Sequence, residues 1–201
     1  VNCFEGDPTD VLTRLYQAAK KFKIEYIVNI TADCPLVEPR YIDEICSTYK
    51  KKKYDLIRAF DLPHGSFCYG INVKALEKVI KIKDKSDTEV WERYFTDTGL
   101  FKIHDLKIRN KLHVKPGLRM TLDYPEDLKF IKEIFKKLYK KKKLFDLTDI
   151  MILLKKEPDL ININKKCGQK FNTQYNNQSC IKIKKNFENK SNKRIKTYKT
   201  F

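Results

Sequence analysis

The apolar positions of the chain follow two patterns in alternation. Within residues 10–22, Val11, Leu12 and Leu15 recur at helical spacing. The next apolar stretch, residues 25–30, is continuous and rich in β-branched side chains, which is typical of a buried parallel strand. Strands that alternate with helices in this way predict an α/β fold of packed layers with a mainly parallel sheet.

Along the whole chain, these patterns predict six helices and six strands, with no internal repeat. The predicted helices are residues 10–22, 41–52 (introduced by Pro39), 72–80, 89–96, 126–140 and 148–155. The predicted strands are residues 25–30, 55–60, 68–71, 101–106, 112–114 and 119–122.

Length and composition fit one large domain, or one domain with a tail. The chain has 201 residues, of which 41% are hydrophobic, enough for a core. No apolar run approaches the ~20 residues of a membrane-spanning helix, and no signal-peptide pattern opens the chain. The six cysteines form no CxxC pair and are not spaced with the three histidines as zinc ligands. We therefore expect a cytoplasmic protein with reduced thiols and no membrane span.

The net charge of +17 is unevenly distributed. Residues 161–201 carry eleven lysines and arginines and one acidic residue, Glu188. This segment is rich in Asn, Lys and Gln and can bury little apolar surface, so we expect a domain over residues 1–164 and a basic, flexible tail over residues 165–201. The tail has few aromatic residues placed for base stacking and no nucleic-acid-binding motif. We therefore favour a solvated basic surface over nucleic-acid binding.

Two acidic residues follow predicted strands directly. Asp33 lies in the string TADCPL, and Asp123 lies in TLDYPEDL. Ligands of open α/β sheets bind beyond the carboxyl ends of strands, and a pair of carboxylates there suits Mg²⁺. Each residue alone also fits a purely structural role, because Asp is common in turns and Asp123 could cap the next helix together with Glu126.

Three stretches of the sequence resemble the SpsF-like cytidylyltransferases of spore-coat polysaccharide biosynthesis, relatives of the CMP-KDO and acylneuraminate synthetases. They are VNCFEGDPTDVLTRLYQAAKKF, EYIVNITADCPLVEPRYIDEI and LRMTLDYPEDLKFIKEIF. The resemblance extends to the end of LTDIMILLKKEPDLININ, so that it covers residues 1–164 in all. It implies a three-layer α/β/α sandwich of the nucleotide-diphospho-sugar transferase type. It also implies that CTP is coupled to a sugar, expected to be acidic, with release of pyrophosphate and with Mg²⁺ as cofactor.

The resemblance also assigns site residues. Asp33 and Asp123 would be the catalytic carboxylates on the metal side. Nucleotide or substrate contacts would fall to Arg14, Thr31, Ala32, Gly65 and Glu89. For Arg14, Gly65 and Glu89, the residues themselves leave an ordinary surface or turn role open. Family relatives are often dimers, so a homodimer is a further expectation.

The chain departs from the family pattern in two places. The family's N-terminal strand and its Gly/Arg/Lys-containing phosphate loop have no counterpart, so we expect an N-terminally truncated domain with an unpaired sheet edge and little activity as the 201-residue chain alone. An acidic pair that follows the family's glycine is replaced by Phe67 and Tyr69, and a Glu-His pair by Glu89 and Val90. The sugar-side pocket is therefore expected to be altered.

Three alternatives to an enzyme of this family remain open at the level of sequence. The first is a non-catalytic remnant or interaction module with the same fold. The second is a GT-A glycosyltransferase, which ranks lower because Asp33 and Asp61 do not form its Asp-x-Asp motif. The third is a nucleic-acid binder that acts through the basic tail.

Overall fold

A computed structural model of the chain describes residues 1–88, 90–139, 144–178, 181–184 and 187, with side chains omitted for residues 172 and 174–178. The strands are β1 Tyr26–Asn29, β2 Leu56–Arg58, β3 Tyr69–Asn72 and β4 Ile103–Asp105. The α-helices are α1 Val11–Lys21, α2 Pro39–Lys51, α3 Val73–Ile82, α4 Arg93–Thr96, α5 Pro125–Leu138, α6 Leu147–Lys156 and α7 Lys165–Gln178. Two 3₁₀ helices span Lys111–His113 and Pro158–Ile163.

The central sheet is mixed, and the expectation of a mainly parallel sheet is wrong. The strand order is β1-β3-β2-β4, with β3 antiparallel to both of its neighbours and β2 parallel to β4. Only residues 59–68 join β2 to β3, and they contain no helix. A parallel crossover needs a dozen or more residues, so this short connection can only return the chain antiparallel.

Helices cover both faces of the sheet. Leu56 and Ile57 are adjacent in β2 and fully buried, yet they belong to two separate apolar clusters because successive strand residues point to opposite faces. Leu56 packs in the cluster that contains residues of α1, α3 and α4, and Ile57 in the cluster that contains residues of α2, α5 and α6. The predicted three-layer α/β/α arrangement is therefore present.

Two predicted strands have a different structure. Residues 111–113 form a 3₁₀ turn whose N-cap, Asn110, accepts from the Leu112 N–H. Residues 119–122 are extended but pair with loops: the Met120 N–H donates to His64 O, and the Leu122 N–H donates to Asp33 O. Apolar residues alternate along this segment, as in a strand, although Arg119 and Thr121 between them are buried as well. Its backbone partners are loops that the sequence does not reveal.

The C-terminal part of the domain is more ordered than its composition suggests. Residues 165–178 form α7, where the sequence predicts a flexible tail. Cys167 in this helix is buried, and Ile183 forms a bridge with Lys83. The domain boundary at residue 164 itself stays a prediction. Over the described residues, no helix combines the length and apolar character required to cross a membrane.

Candidate active site

The crevice at the end of β1 brings Asp33 and Asp123 together. The Leu122 N–H donates to the backbone oxygen of Asp33 over 2.8 Å, which fixes the segment before Asp123 against the loop after β1. The Thr121 hydroxyl oxygen lies 3.4 Å from Oδ2 of Asp33 and 3.4 Å from Oδ2 of Asp123. Both carboxylates line one small cavity of about 110 Å³. The two acidic residues that the sequence singled out therefore share a site.

The two carboxylates differ in how their oxygens are used. Oδ1 of Asp33 is buried and has no hydrogen-bond partner among the described residues. Oδ2 of Asp123 forms an ion pair with the Arg119 guanidinium, and the Asp123 side chain is 34% exposed. A buried carboxylate oxygen without a donor is costly unless a ligand satisfies it. A cation or a hydrogen-bond donor bound in the crevice would satisfy this oxygen.

Arg119 is the centre of a buried network next to this crevice. Its guanidinium donates to Asp127, which is fully buried, at 3.1–3.2 Å, and also contacts Asp123. Burial disfavours the charged form of Arg119, but the bonds to Asp127 and Asp123 outweigh it and raise the pKa. Asn164 donates to Asp127 over 2.8 Å and to the Arg119 carbonyl over 3.2 Å. Arg119 thus holds Asp123 in place from the protein side.

The helix that follows Asp123 is capped by a different residue from the one anticipated. Asp127 Oδ2 accepts from the backbone N–H groups of Asp123 and Tyr124, at 3.1 Å each. Burial raises the pKa of Asp127, but the bonds from Arg119 and Asn164 outweigh it, so its pKa lies below the usual 3.8. Asp127 satisfies the donors at the start of α5, so the side chain of Asp123 is left to face the crevice.

His64 and Gly65 form the opposite wall. Gly65 has φ +90°, and a Cβ there would lie 2.4 Å from the Thr121 nitrogen, so only glycine permits the loop to approach this closely. The Nδ1 atom of His64 lies 3.4 Å from Nη1 of Arg119. Burial, together with the Arg119 charge, lowers the pKa of His64 to about 4. His64 is therefore neutral at physiological pH.

The remaining predicted site residues lie in different surroundings. Thr31 is exposed, lines the small cavity and donates its hydroxyl to Cys34 Sγ over 3.3 Å, and Ala32 is exposed beside it. Arg14 donates to the carbonyl oxygens of Asp7 and Pro8, in the loop that precedes its own helix. Glu89 lies outside the described residues. The roles that the resemblance assigns to these residues stay predictions.

A larger cavity of about 380 Å³ adjoins the small one and shares His64, Tyr69 and Phe171 with it. Tyr69, one of the two residues in place of the family's acidic pair, donates its hydroxyl to Glu92 over 2.9 Å, and the other Glu92 oxygen pairs with Arg58. Carboxylates therefore do border this cavity, but they come from Glu92 and Asp61. The other lining residues are mainly apolar, including Phe60, Leu62, Pro63, Val114, Pro116 and Leu118.

Sequence reasoning missed Arg119, Thr121 and Asp127 as parts of the site, and it did not anticipate that His64 contacts Arg119. The signal for the first three was the string that identified Asp123. Arg119, Asp123 and Asp127 are spaced four residues apart in LRMTLDYPEDL, and Asp127 lies in the first turn of α5. The pairing of His64 with Arg119 depends on two distant loops and had no local signal.

Comparison with known proteins identifies a family and two related sequences. The cytidylyltransferase family model matches residues 1–146. The uncharacterized protein MJ1063 of Methanocaldococcus jannaschii is 32% identical over 177 residues, which are 85% of this chain and 70% of that protein. The spore coat polysaccharide biosynthesis protein SpsF of Bacillus subtilis is 23% identical over 159 residues, 78% of this chain and 65% of SpsF.

A solved structure shares the fold. The cytidylyltransferase from Leptospira borgpetersenii serovar Hardjo-bovis superimposes with a TM-score of 0.69 at 23% identity, over 79% of this chain and 67% of that structure. The chain thus spans about two thirds of the length of these relatives. The resemblance inferred from the strings TADCPL and TLDYPEDL is confirmed, and the chain belongs to the cytidylyltransferase family.

Proposed function

We propose that this protein couples CTP to a sugar, with release of pyrophosphate, in the biosynthesis of a surface polysaccharide. The observation that carries the proposal is the meeting of Asp33 and Asp123 in one crevice beside a cavity large enough for a sugar. Membership in the cytidylyltransferase family supports CTP as the nucleotide, and the similarity to the spore coat polysaccharide biosynthesis protein SpsF supports a role in polysaccharide biosynthesis.

The carboxylate pair fits Mg²⁺. The described residues contain no cluster of three or more His, Cys, Asp or Glu side chains, so a site that fills its coordination shell from the protein alone is not present among them. Mg²⁺ instead binds through one or two carboxylates and completes its shell with phosphate and water. Asp33 and Asp123 would hold it, and the unpartnered Oδ1 of Asp33 supports this assignment. When bound, Mg²⁺ supplies charge neutralisation for a triphosphate.

The chain's own residues orient the reactants. In the proposed reaction, a sugar hydroxyl forms a bond to the α-phosphorus of CTP, the bond to pyrophosphate breaks, and the hydroxyl proton is released. Arg119 holds Asp123 against the crevice, and the Gly65 turn brings neutral His64 between the two cavities. Placement and electrostatics of this kind account for most of the rate in phosphoryl-type transfers. The sugar would occupy the 380 Å³ cavity.

Pyrophosphate release tests the proposal. The assay contains CTP, Mg²⁺ and a panel of acidic and neutral sugars, with the 201-residue chain and, in parallel, the chain extended by whatever its gene encodes upstream. We expect the unsubstituted protein to release pyrophosphate, and we expect the rate of release to fall by at least about 100-fold in Asp33→Asn and in Asp123→Asn. Asp43→Asn, on the exposed side of α2, is the matched control and keeps full activity.

The assay can also reject the proposal. If folded protein of either length releases no pyrophosphate with any sugar and does not bind CTP with Mg²⁺, the non-catalytic module becomes the better interpretation. If activity persists in both site variants, the carboxylate assignment is wrong although the enzyme class is right.

A further inference from the structure

Helix α7 lies beyond the residues that the family model matches, yet it forms part of both cavities. The family match ends at residue 146, and α7 spans Lys165–Gln178. Phe171 lines the 110 Å³ and the 380 Å³ cavities, and Gly168 lines the larger one. A segment outside the matched region therefore contributes part of the wall that the two cavities share.

The Phe171 ring packs directly on the site. Its centroid lies 4.9 Å from the centroid of the His64 ring and 4.9 Å from Cζ of Arg119. The second distance is within the range of a cation–π contact. Lys170, the preceding residue, places its ammonium 5.8 Å from the centre of the Tyr124 ring. The helix thus contacts the arginine that holds Asp123 and the residue that follows Asp123.

The start of α7 is tied to the same network. Asn164, one residue before the helix, is 2% exposed and donates to Asp127 and to the Arg119 carbonyl. Cys167 is 1% exposed and lies one helical turn before Phe171, on the same face. Because these anchors hold the first turn, the position of Phe171 is set by the geometry of the Arg119 cluster.

We propose that α7 is the specificity element of this protein and that Phe171 determines which sugars enter the cavity beside the carboxylates. This inference rests on the proposed function, because it takes the 380 Å³ cavity as the sugar site. The least exposed charged groups that line the cavity already have ion-pair partners. Glu92 pairs with Arg58, and Arg119 pairs with Asp127 and Asp123. Asp61 and Lys115 are exposed on its rim.

The chemistry of this wall indicates the class of sugar. An apolar and aromatic lining favours a sugar that presents an uncharged face with C–H or methyl groups toward Phe171. A carboxylate on that face would meet Arg119, which is already paired with Asp123 and Asp127, and the half-buried, neutral His64, and burial of an unpaired charge is costly. The selected sugar therefore carries any charged group away from α7.

Two substitutions change this wall in opposite directions. Phe171→Ala removes the ring and enlarges the cavity. Gly168→Leu fills it, and the helix has space for the new side chain because no atom lies within 4 Å of a Cβ built there. Leucine also has a higher helix propensity than glycine, so the helix itself is not weakened. Gln169→Ala, an exposed position on the same helix, is the matched control.

The experiment measures KM for sugar and for CTP, and relative kcat/KM across the sugar panel, in the 201-residue chain and in its upstream-extended form. We expect Phe171→Ala to raise KM for the preferred sugar about tenfold and to improve relative use of bulkier sugars, with KM for CTP within about twofold. Phe171→Tyr keeps the aromatic ring, so its KM for the sugar should lie close to the wild-type value. Gly168→Leu should exclude the larger sugars first.

The outcomes separate this inference from the function on which it rests. Wild-type protein without pyrophosphate release from any sugar overturns both. Active wild-type protein whose sugar preference and sugar KM are unchanged in Phe171→Ala and Gly168→Leu overturns the role of α7 alone. Equal rises of KM for CTP and sugar in Phe171→Ala, without rescue by Phe171→Tyr, also overturn it, because they indicate a structural role only.

Discussion

Arg58 and Arg119 are buried to nearly the same extent, 5% and 4% exposed, and each binds two carboxylates. Arg58 lies in β2 and pairs with Glu92 and Asp105, on the sheet side of the larger cavity. Arg119 lies at the crevice and pairs with Asp123 and Asp127. The same arrangement of charges therefore occurs twice, and each cluster contributes one residue, Glu92 or Arg119, to the lining of the larger cavity.

The two clusters differ in how far their carboxylates are exposed to solvent. At Arg58 the inner side chain, Glu92, is 12% exposed, and the outer one, Asp105, is 48% exposed. At Arg119 the inner side chain, Asp127, is completely buried, and the outer one, Asp123, is 34% exposed and faces the crevice. A fully buried carboxylate depends on its arginine, whereas an exposed one can exchange partners with water or a ligand. In the Arg119 cluster, the pair of Arg119 and Asp127 is therefore buried and structural, whereas Asp123 is accessible.

The largest expected effect comes from removal of each arginine. Arg119→Met leaves Asp127 buried without its cation, and we expect a loss of about 3–5 kcal/mol in the free energy of unfolding. Arg58→Met should lose less, about 2 kcal/mol, because Asp105 can be hydrated. Urea denaturation of both variants measures the difference. Arg40→Met, which removes an exposed 3.6 Å ion pair with Asp146, is the control and should lose less than about 1 kcal/mol. Equal losses for Arg58 and Arg119 would contradict the comparison.

A pH titration gives the next largest effect, because burial and the nearby Arg119 charge lower the pKa of His64. Its folded-state pKa is about 4, below the ordinary 6.5, so the unfolded chain takes up the proton first as pH falls. The free energy of unfolding is therefore unaffected by His64 above pH 6.5. It falls between pH 6.5 and about 4, by roughly 3 kcal/mol at most, as the unfolded chain takes up the proton. We expect the unfolding free energy of His64→Gln to fall by less over this range than that of wild type. His113, whose pKa is also lowered by burial, remains in both proteins, so the difference isolates His64. Parallel curves would show that His64 does not titrate as described.

Local structure could be predicted from the sequence where one segment determines it. Asp10 accepts from the Thr13 N–H and begins α1 at the predicted place. The sheet pairing could not be predicted in this way, because residues 119–122 have a strand pattern but bond to the loops at His64 and Asp33. Composition misled the interpretation of α7, since a polar segment can be anchored by a few buried residues such as Cys167.

The candidate site shows the same limit. Asp33 and Asp123 were recognisable singly, as acidic residues after predicted strands, and the resemblance paired them. Arg119 lies in the same string as Asp123, but its role could not be assigned from the string, because that role arises only when Arg119 pairs with Asp123 and Asp127 in the folded chain. Sequence therefore indicates which residues carry chemistry more readily than which residues hold them in position.

Within the Arg119 cluster, the inner and outer carboxylates should respond differently to neutralisation. Asp127→Asn weakens bonds to Arg119 and to the start of α5, so we expect a loss of about 2 kcal/mol. Asp123→Asn should lose less than about 1 kcal/mol, because its side chain is partly exposed. Both losses are measured by urea denaturation at pH 7. If Asp123→Asn were the more destabilising change, Asp123 would be a structural residue rather than an accessible one.

The smallest stability effects are expected at the two outer carboxylates, and there the difference between the clusters lies in ligand binding. Asp105→Asn and Asp123→Asn should each lower the unfolding free energy by less than about 1 kcal/mol. A ligand that binds only the folded protein stabilises it by RT ln(1 + [L]/Kd). CTP with Mg²⁺ should therefore raise the Tm of wild type and the Tm of Asp105→Asn by the same amount. Asp123→Asn should show a much smaller rise, since the crevice loses one of its two carboxylates, and Asp33 alone would remain to hold the cation. An undiminished rise in Asp123→Asn would place the ligand elsewhere and would remove the functional distinction between the two arginine clusters.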